Sequence, residues 1–389
     1  MATTTRYFKR KLLLSKIEVT PGVDPVPTPA LNAIEIRNVQ FQPLEAQYQA
    51  NSAETPFFGN SPEVMVSQAA RLGFDIAIAG SGAAGTAPAF GPLLRGAGFA
   101  ERIIAAAVTG TAQGGSANTI QLAAGASAVD NAYKGTRVRL TGGTGSGQDA
   151  VIRAYNGTTK TATVSKAWTT PPNATTLYSI DAQVSYSPVS AGHESLTHYM
   201  YMDGLRHVMS YSRGGVSLKL TPKNLPLLSF DFLSMYAVPT DLALPTTAIY
   251  SSWKTPLPVL NAFSSGAELM GFGVNLYDLS LDLGNQVVHR DDVIGIDDVL
   301  ITNREPGGSS IIQAPLQAEH DYYTDAQTAA LGHFAFTHGT AAGARMRLNA
   351  PAMQVKAPKY GESNNVATLG LDLRPCRVEG DDELFLIFD

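Results

Sequence analysis

The sequence has little of what most secreted proteins and many enzymes are built around. Among 389 residues there is one cysteine, Cys376. That excludes an internal disulfide framework and any zinc site built on several thiolates, and a lone cysteine of this kind is expected as a small core hydrophobe. Charge is scarce too: 16% of residues are Asp, Glu, Lys or Arg, against about 25% in average soluble domains. So low a fraction suggests that much of the surface is covered by other subunits. Net charge is −5, and beyond Arg6 to Lys11 no basic run offers itself to nucleic acid. No stretch approaches the roughly 20 apolar residues of a membrane helix. Leu12 to Leu14, after the basic start, is too short an apolar core for a secretory signal, so a soluble protein not exported through a signal peptide is expected.

What the chain does have is alternation. Ile34, Ile36, Val39 and Phe41 follow strand periodicity, as do Met65 to Val66 and Phe74 to Ala79. No long amphipathic helix is recognisable before residue 90. Upstream, the prolines of Thr20 to Pro29 favour an extended arm, expected to pack on a neighbouring copy rather than on its own chain.

Gly80-Ser81-Gly82-Ala83-Ala84-Gly85 is a literal G-x-G-x-x-G after a strand-like run, the pattern of a dinucleotide-binding turn. That turn needs a long helix behind it to hold the pyrophosphate. Pro88, Gly91, Pro92, Gly96 and Gly98 deny it one, leaving a short helix from Pro92 to Ala97 with proline at its start. Glu101 precedes the next apolar run, so no strand delivers it to a ribose. The expected structure is a strand, a Gly/Ala loop and a short helix, with no cofactor.

Residues 106–185 read as a small all-β module inserted into a host domain. Gly, Ala, Ser and Thr dominate, and short strand-like pieces alternate with turns, Asn156-Gly157 being the strongest hairpin signal. Gly142 to Gln148 resembles a phosphate loop only in its glycine spacing; it lacks the lysine and the following helix. With Asp130, Tyr133 and Gly135, that glycine turn and Trp168 to Pro171, the module resembles a short β-domain that recurs in tailed-phage virion proteins. Tyr133, Tyr155 and Trp168 are candidates for stacking on a carbohydrate, although the module's own core is the preferred place for them.

After the insert the host resumes with an Asp203-Gly204 hairpin and strands Val216 to Leu220 and Leu227 to Tyr236. The second half then replays the first. Phe272 to Leu283 alternates as Ala33 to Phe41 does, Ser309 to Gln313 stands where Phe74 to Ala79 stood, and Asp325 to Leu331 is the counterpart of the short helix. The carboxyl end, Leu384 to Phe388, reads as an edge strand. The expected division is residues 1–105 and 186–244 as a first β domain, 106–185 as the insert, and 245–389 as a second β domain.

The Pro-Gly-x-Asp-Pro-x-Pro-Thr arm, the run Phe74 to Gly82 closing in Gly91 to Phe99, the Tyr201-Met202-Asp203-Gly204 hairpin followed by Ser212 to Val216, and the ending Gly380 to Leu384 together resemble the major tail tube proteins of long-tailed, siphovirus-like bacteriophages. The resemblance covers nearly the whole chain outside the insert. It implies a β-sandwich or half-barrel with short flanking helices, whose inner sheets join those of neighbours around a lumen. Single-domain members form rings of six and duplicated members rings of three, so a repeated half implies three copies per ring, with six as the alternative. It also implies a virion protein assembled in the bacterial cytoplasm, tail terminator, tape-measure and distal tail proteins as partners, and genomic DNA passing through without specific binding.

A lumen that lets DNA slide must not hold phosphates. Asp203, Asp231, Asp278 and Asp282 are therefore the lumen candidates, and the polar loop Gln47 to Asn60 is a candidate bridge between stacked rings. No catalytic or metal-binding group is expected. His193-Glu194-Ser195 sits at a loop-to-strand junction where neighbours point in different directions. His333 and His338 fall on opposite faces of a strand, and Glu319-His320-Asp321 reads as a solvated turn. Two other functions remain on this reading: a distal-tail or adhesin protein that touches the host surface through the insert, and, from Gly80 to Gly85 alone, a dinucleotide-dependent oxidoreductase.

Overall fold

Side-chain alternation decides most of this fold. Between Glu63 and Ala77 the apolar Leu72, Phe74 and Ile76 are buried, while Arg71, Gly73 and Asp75 turn the other way; this is the two-residue period of a strand with one covered face. The computed structural model describes residues 5–389 and is mainly β, with half of the chain in strands and three short helices. Twelve of the host strands form its repeated framework. The first half supplies β1 (Lys11–Ile17), β2 (Arg37–Ala50), β3 (Glu63–Ala77), β4 (Leu196–Met202), β5 (Leu205–Leu220) and β6 (Leu227–Met235). The second supplies β7 (Ser264–Leu269), β8 (Leu276–Asp282), β9 (Gly307–Gln313), β10 (Leu331–His338), β11 (Met346–Ser363) and β12 (Val366–Pro375). The helices are α1 (Pro29–Asn32), α2 (Gly91–Gly96) and α3 (Tyr322–Thr328).

Both halves pair their strands in the same order, always antiparallel. β2, β3, β6 and β5 are successive neighbours in the first, and β8, β9, β12 and β11 in the second. The amino-terminal part of β5 leaves this sheet to pair with β4, which pairs with β1; β11 does the same with β10, and β10 with β7. A short helix follows β3 in the first half and β9 in the second; α3 leads directly into β10, whereas two further strands and the insert separate α2 from β4. Even a register shift repeats, between Leu196 and His198 in β4 and between Gly332 and Phe334 in β10. The halves join where Ser217 to Leu220 of β5 pair with Asp282 to Leu279 of β8. One eight-stranded sheet results, in the order β2-β3-β6-β5-β8-β9-β12-β11.

One face of that sheet is covered by β1, β4, β7, β10 and α2, and a single core runs beneath both halves. Phe74, Phe230 and Phe232 form an aromatic cluster there, with Phe74–Phe230 and Phe230–Phe232 ring centroids 5.7 Å apart. Such pairs add about 0.5–1.5 kcal/mol each beyond burial. His198 of β4 meets Phe232 edge-on and hydrogen-bonds Ser15 of β1 through Nδ1; the corresponding residue of β10 is Phe334.

The insert's strands, all between Val108 and Ile180, form a separate seven-stranded sheet over a core of their own. It hangs on two adjacent antiparallel strands, Phe99–Ile104 and Gln183–Pro188, whose Ile104 and Gln183 face each other. It does not swing free. Val151 packs on Phe385 and Ile387, Lys166 pairs with Glu268 of β7 at 2.6 Å, and Arg137 approaches the Asp389 side chain at 3.6 Å.

Two expectations are corrected, and one element is new. The proline-rich arm folds back on its own chain. Gly22 N donates to Glu18 (2.7 Å), Lys16 donates to the Pro25 carbonyl (2.8 Å), and the Tyr199 hydroxyl donates to Asp24. Extended backbone leaves the arm's peptide groups free, and these polar side chains supply partners for some of them. The carboxyl-terminal strand, Phe385–Phe388, is buried and lies between Gln183–Pro188 and Met346–Asn349, so it is not an edge. Asn285–Asp291 and Asp297–Arg304 form a hairpin, unmarked in the sequence, that folds across β5 through an Arg213 hydrogen bond to the Val299 carbonyl and an Asn285 bond to Gly214 O (2.9 Å).

Burial pushes the His198 imidazole down to about 3, whereas in the unfolded chain it titrates near 6.5. As pH falls below about 6.5 the unfolded chain takes up a proton that the folded chain refuses, so His198 destabilises the fold progressively until the folded group itself titrates. Replacing His198 by Phe should flatten the plot of unfolding free energy against pH between 6 and 4 by about 1.4 kcal/mol per pH unit. Denaturant titrations at a series of pH values would measure it; an unchanged slope would show that His198 is not held neutral.

Candidate assembly surface

The glycine motif closes on protein. Gly82 N donates to the Gly343 carbonyl at 2.9 Å, and a Cβ at Gly80 would lie 2.1 Å from that same oxygen. Gly82 and Gly85 have φ of 83° and 73°, the left-handed region that glycine enters at no steric cost. The spacing therefore serves a close crossing of two host loops, 80–85 and 339–343. The helix that follows has six residues, Gly91–Gly96, with proline in its first turn. In the insert, Gln148 staples the second glycine-rich turn by accepting from Thr169 N (2.7 Å) and donating to Gly145 O and Thr170 O (3.0 Å each). It is a turn held by its own glutamine.

The histidine-bearing stretches do not converge. His193 Nε2 bonds the Val189 carbonyl (2.9 Å), Glu194 holds Arg95 in a bidentate pair (2.6 Å), and Ser195 donates to the buried Glu18. His333 lies between Glu268 (3.1 Å) and Asn349 (2.7 Å), and His338 between Ser264 and the Leu257 carbonyl (3.1 Å each). Hydrogen bonding to His333, with Lys166 adding to it, draws the Glu268 carboxyl down to about 2 despite burial; this carboxylate docks the insert. Asp321 caps α3 by accepting from Tyr323 N and Thr324 N, and His320 pairs with Asp325 at 2.7 Å. Among the described residues no three His, Cys, Asp or Glu side chains are placed to hold a metal ion. Cys376, expected in the core, is half-buried in a cleft of about 550 Å³ beside Arg304 and Glu383, which pair at 3.1 Å.

The insert aromatics are a correction. Tyr133, Tyr155 and Trp168 are 6%, 3% and 4% exposed, and Tyr133 meets Tyr155 edge-on at 4.8 Å. A module this small needs its aromatic rings for its own core, and none is left to stack on a ligand.

Three of the four acidic candidates share a surface. Asp231, Asp278 and Asp282 lie on the face of the eight-stranded sheet that points away from the core, opposite Gly215, Ile311 and Ser217 respectively in the neighbouring strands. Lys219 and Lys356 lie on the same face, and Arg71 pairs with Asp231 at 3.2 Å. The face is polar, mixed in charge, and built largely from small side chains. Asp203 is elsewhere: in the β4–β5 turn it accepts from Tyr7 N (2.6 Å) and pairs with Arg10 (2.7 Å), tying down the amino-terminal segment.

Sequence reasoning missed the two ends of this sheet. Among the described residues β2 pairs with β3 alone, and Lys359 to Ser363 of β11 pair with β12 alone. Each presents an unused row of backbone donors and acceptors. Beyond the β2 edge, the tip of the β2–β3 hairpin carries Phe57 and Phe58 at 82% and 109% exposure. No helix among the described residues is long and apolar enough to cross a membrane. No protein-family model and no curated protein matches the chain.

Replacing Gly80 by Ala should force the two glycine loops apart and destabilise the protein by about 1–3 kcal/mol, the usual range for overpacking. Urea unfolding of the variant measures it, and a difference under about 0.5 kcal/mol would mean that the loops yield freely.

Proposed function

We propose that this chain is a structural protein of a phage tail, whose copies join edge to edge into closed rings that stack into a tube for DNA. One observation carries the reading. The sheet contains two four-stranded units joined head to tail, and the same two kinds of edge that meet inside the chain are left unused at its ends. A head-to-tail contact between copies then generates a ring if the rotation closes. Three chains supply six four-stranded units, a pseudo-sixfold barrel. Barrels of roughly 16–18 strands already leave an aqueous channel, so a larger one leaves a lumen. Closure also removes the exposed edges that would otherwise aggregate.

The polar outward face of the sheet lines that lumen on this reading. Its interleaved charges give phosphates no continuous basic track. On this reading the exposed β2–β3 tip with Phe57 and Phe58 meets a stacked ring, and terminator, tape-measure and distal tail proteins are the partners at the tube ends. The protein then acts in the virion and assembles in the host cytoplasm.

Light scattering of the purified protein, with negative-stain microscopy, should give rings or tubes with a mass of three chains per ring; six would halve the angle between copies, and a stable monomer would refute the reading. Deleting residues 51–60 should leave ring mass unchanged while abolishing stacking. Changing Asp231, Asp278 and Asp282 together to Lys should slow DNA ejection at low salt and restore it as salt rises, because each new phosphate contact adds about 0.9 to the salt slope of DNA binding. Ejection that stays unchanged at all salt concentrations would remove this face from the lumen.

A further inference from the structure

We infer that neighbouring copies pair in one fixed register, Lys359 with Gln42, Tyr360 with Phe41, Gly361 with Gln40 and Glu362 with Val39, copied from the joint inside the chain. The inference rests on the ring reading and adds which residues meet.

The internal joint is the template. Starting from the register shift that β4 and β10 share, Arg213 corresponds to Gln354, and their partners across the ladder, Leu233 and Arg374, correspond to each other. Moving one strand at a time outward equates Phe232 with Leu373, Leu72 with Gly308, and Phe41 with Leu281. On the other edge the same counting equates Ser217 with Lys359 and Leu218 with Tyr360. Inside the chain, Ser217 faces Asp282 and Leu218 faces Leu281. Transferred to the free edges, those pairs become Lys359 with Gln42 and Tyr360 with Phe41.

Exposure supports the transfer. Leu218 and Leu281 are 5% and 3% exposed. Phe41 packs on the core from the edge but is only half-buried, and Tyr360 is 69% exposed although it occupies the core-side position of Leu218. Each is an apolar residue on the core side of a strand that ends without a neighbour, and each is what the other lacks. The edge also limits alternatives. A register shift between Lys356 and Lys359, with Ala357 at φ 46°, marks a bulge, and Pro358 has no N–H to give a ladder. Pairing on this edge is thus confined to the residues that follow Pro358.

The internal joint tells which pair to cross-link. Leu283 N donates to the Val216 carbonyl at 3.0 Å, so Val216–Leu283 is a hydrogen-bonded pair and Ser217–Asp282, next along the ladder, is not. Non-hydrogen-bonded pairs bring Cα atoms to about 4.5 Å, within disulfide reach. Lys359 and Gln42 inherit that geometry, and both are exposed. In a Cys376→Ser background, the double variant Lys359→Cys/Gln42→Cys, oxidised after assembly, should run on a denaturing gel as covalent multimers up to one closed ring. The double variant Lys359→Cys/Gln40→Cys, two residues out of register, should give at least tenfold less. Mixing the two single variants, Lys359→Cys and Gln42→Cys, should give only dimers, which checks the result without doubly altering any chain. Rings of normal mass in which the shifted pair links as well as or better than the first, or in which neither links, would overturn the register and leave the ring reading standing. Protein that stays monomeric by light scattering before oxidation would overturn both.

Discussion

The short ladder between Ser217–Leu220 and Asp282–Leu279 is the constraint on which the molecule depends. Without it, β5 and β8 would each end as an open edge with buried apolar residues beside them, and the chain would be two incomplete sandwiches. With it, the core runs without a break beneath both halves. Leu218 and Leu281 are sealed at the joint by each other, in a contact that neither half can supply alone. The outward face stays poor in apolar groups because every inward place is already taken by the alternate residues of the same strands.

The repeat is written in pairing order and in the position of a bulge, while the chemistry at equivalent positions has drifted. His198 stands where the other half has Phe334, and Arg213 where it has Gln354. Arg213 anchors the hairpin 285–304 across β5, a contact between the halves. At Arg213 the difference serves a contact between the halves, while the ladder itself repeats because backbone groups build it whatever the side chains are.

Much of this was legible in the sequence, for reasons that can be stated. Alternation marked β3, β6 and β8, because one face of each is covered and the other is not. Turn chemistry marked the insert, with Asn156-Gly157 falling between two paired strands; Asn156 accepts from Thr158 N and Gly157 N donates to Asp130. What was illegible depended on partners far away in the chain. The need for glycine at Gly80 comes from Gly343, on a loop that sequence spacing cannot connect to it. The arm looked free because its anchors are single polar contacts, Glu18 and Asp24, which leave no period behind. For Tyr133, Tyr155 and Trp168 the core was the preferred reading, but a ligand stayed open, since an aromatic ring serves both and only burial separates them. The candidate edges could not be read at all, because an edge is defined by what fails to pair.

The stem of the insert has a consequence for the protein's history. Because Ile104 and Gln183 face each other in adjacent antiparallel strands, the chain leaves the host and returns to it within about 5 Å. The exit and return of the chain are set by the pairing of Phe99–Ile104 with Gln183–Pro188, and the insert adds docking contacts through Val151 and Lys166. Such a stem works as a socket: a compact module with neighbouring termini can be grafted there, exchanged or enlarged, provided that it covers Phe385 and Ile387 as Val151 does. Selection can thus alter what is displayed at this position independently of the framework that displays it.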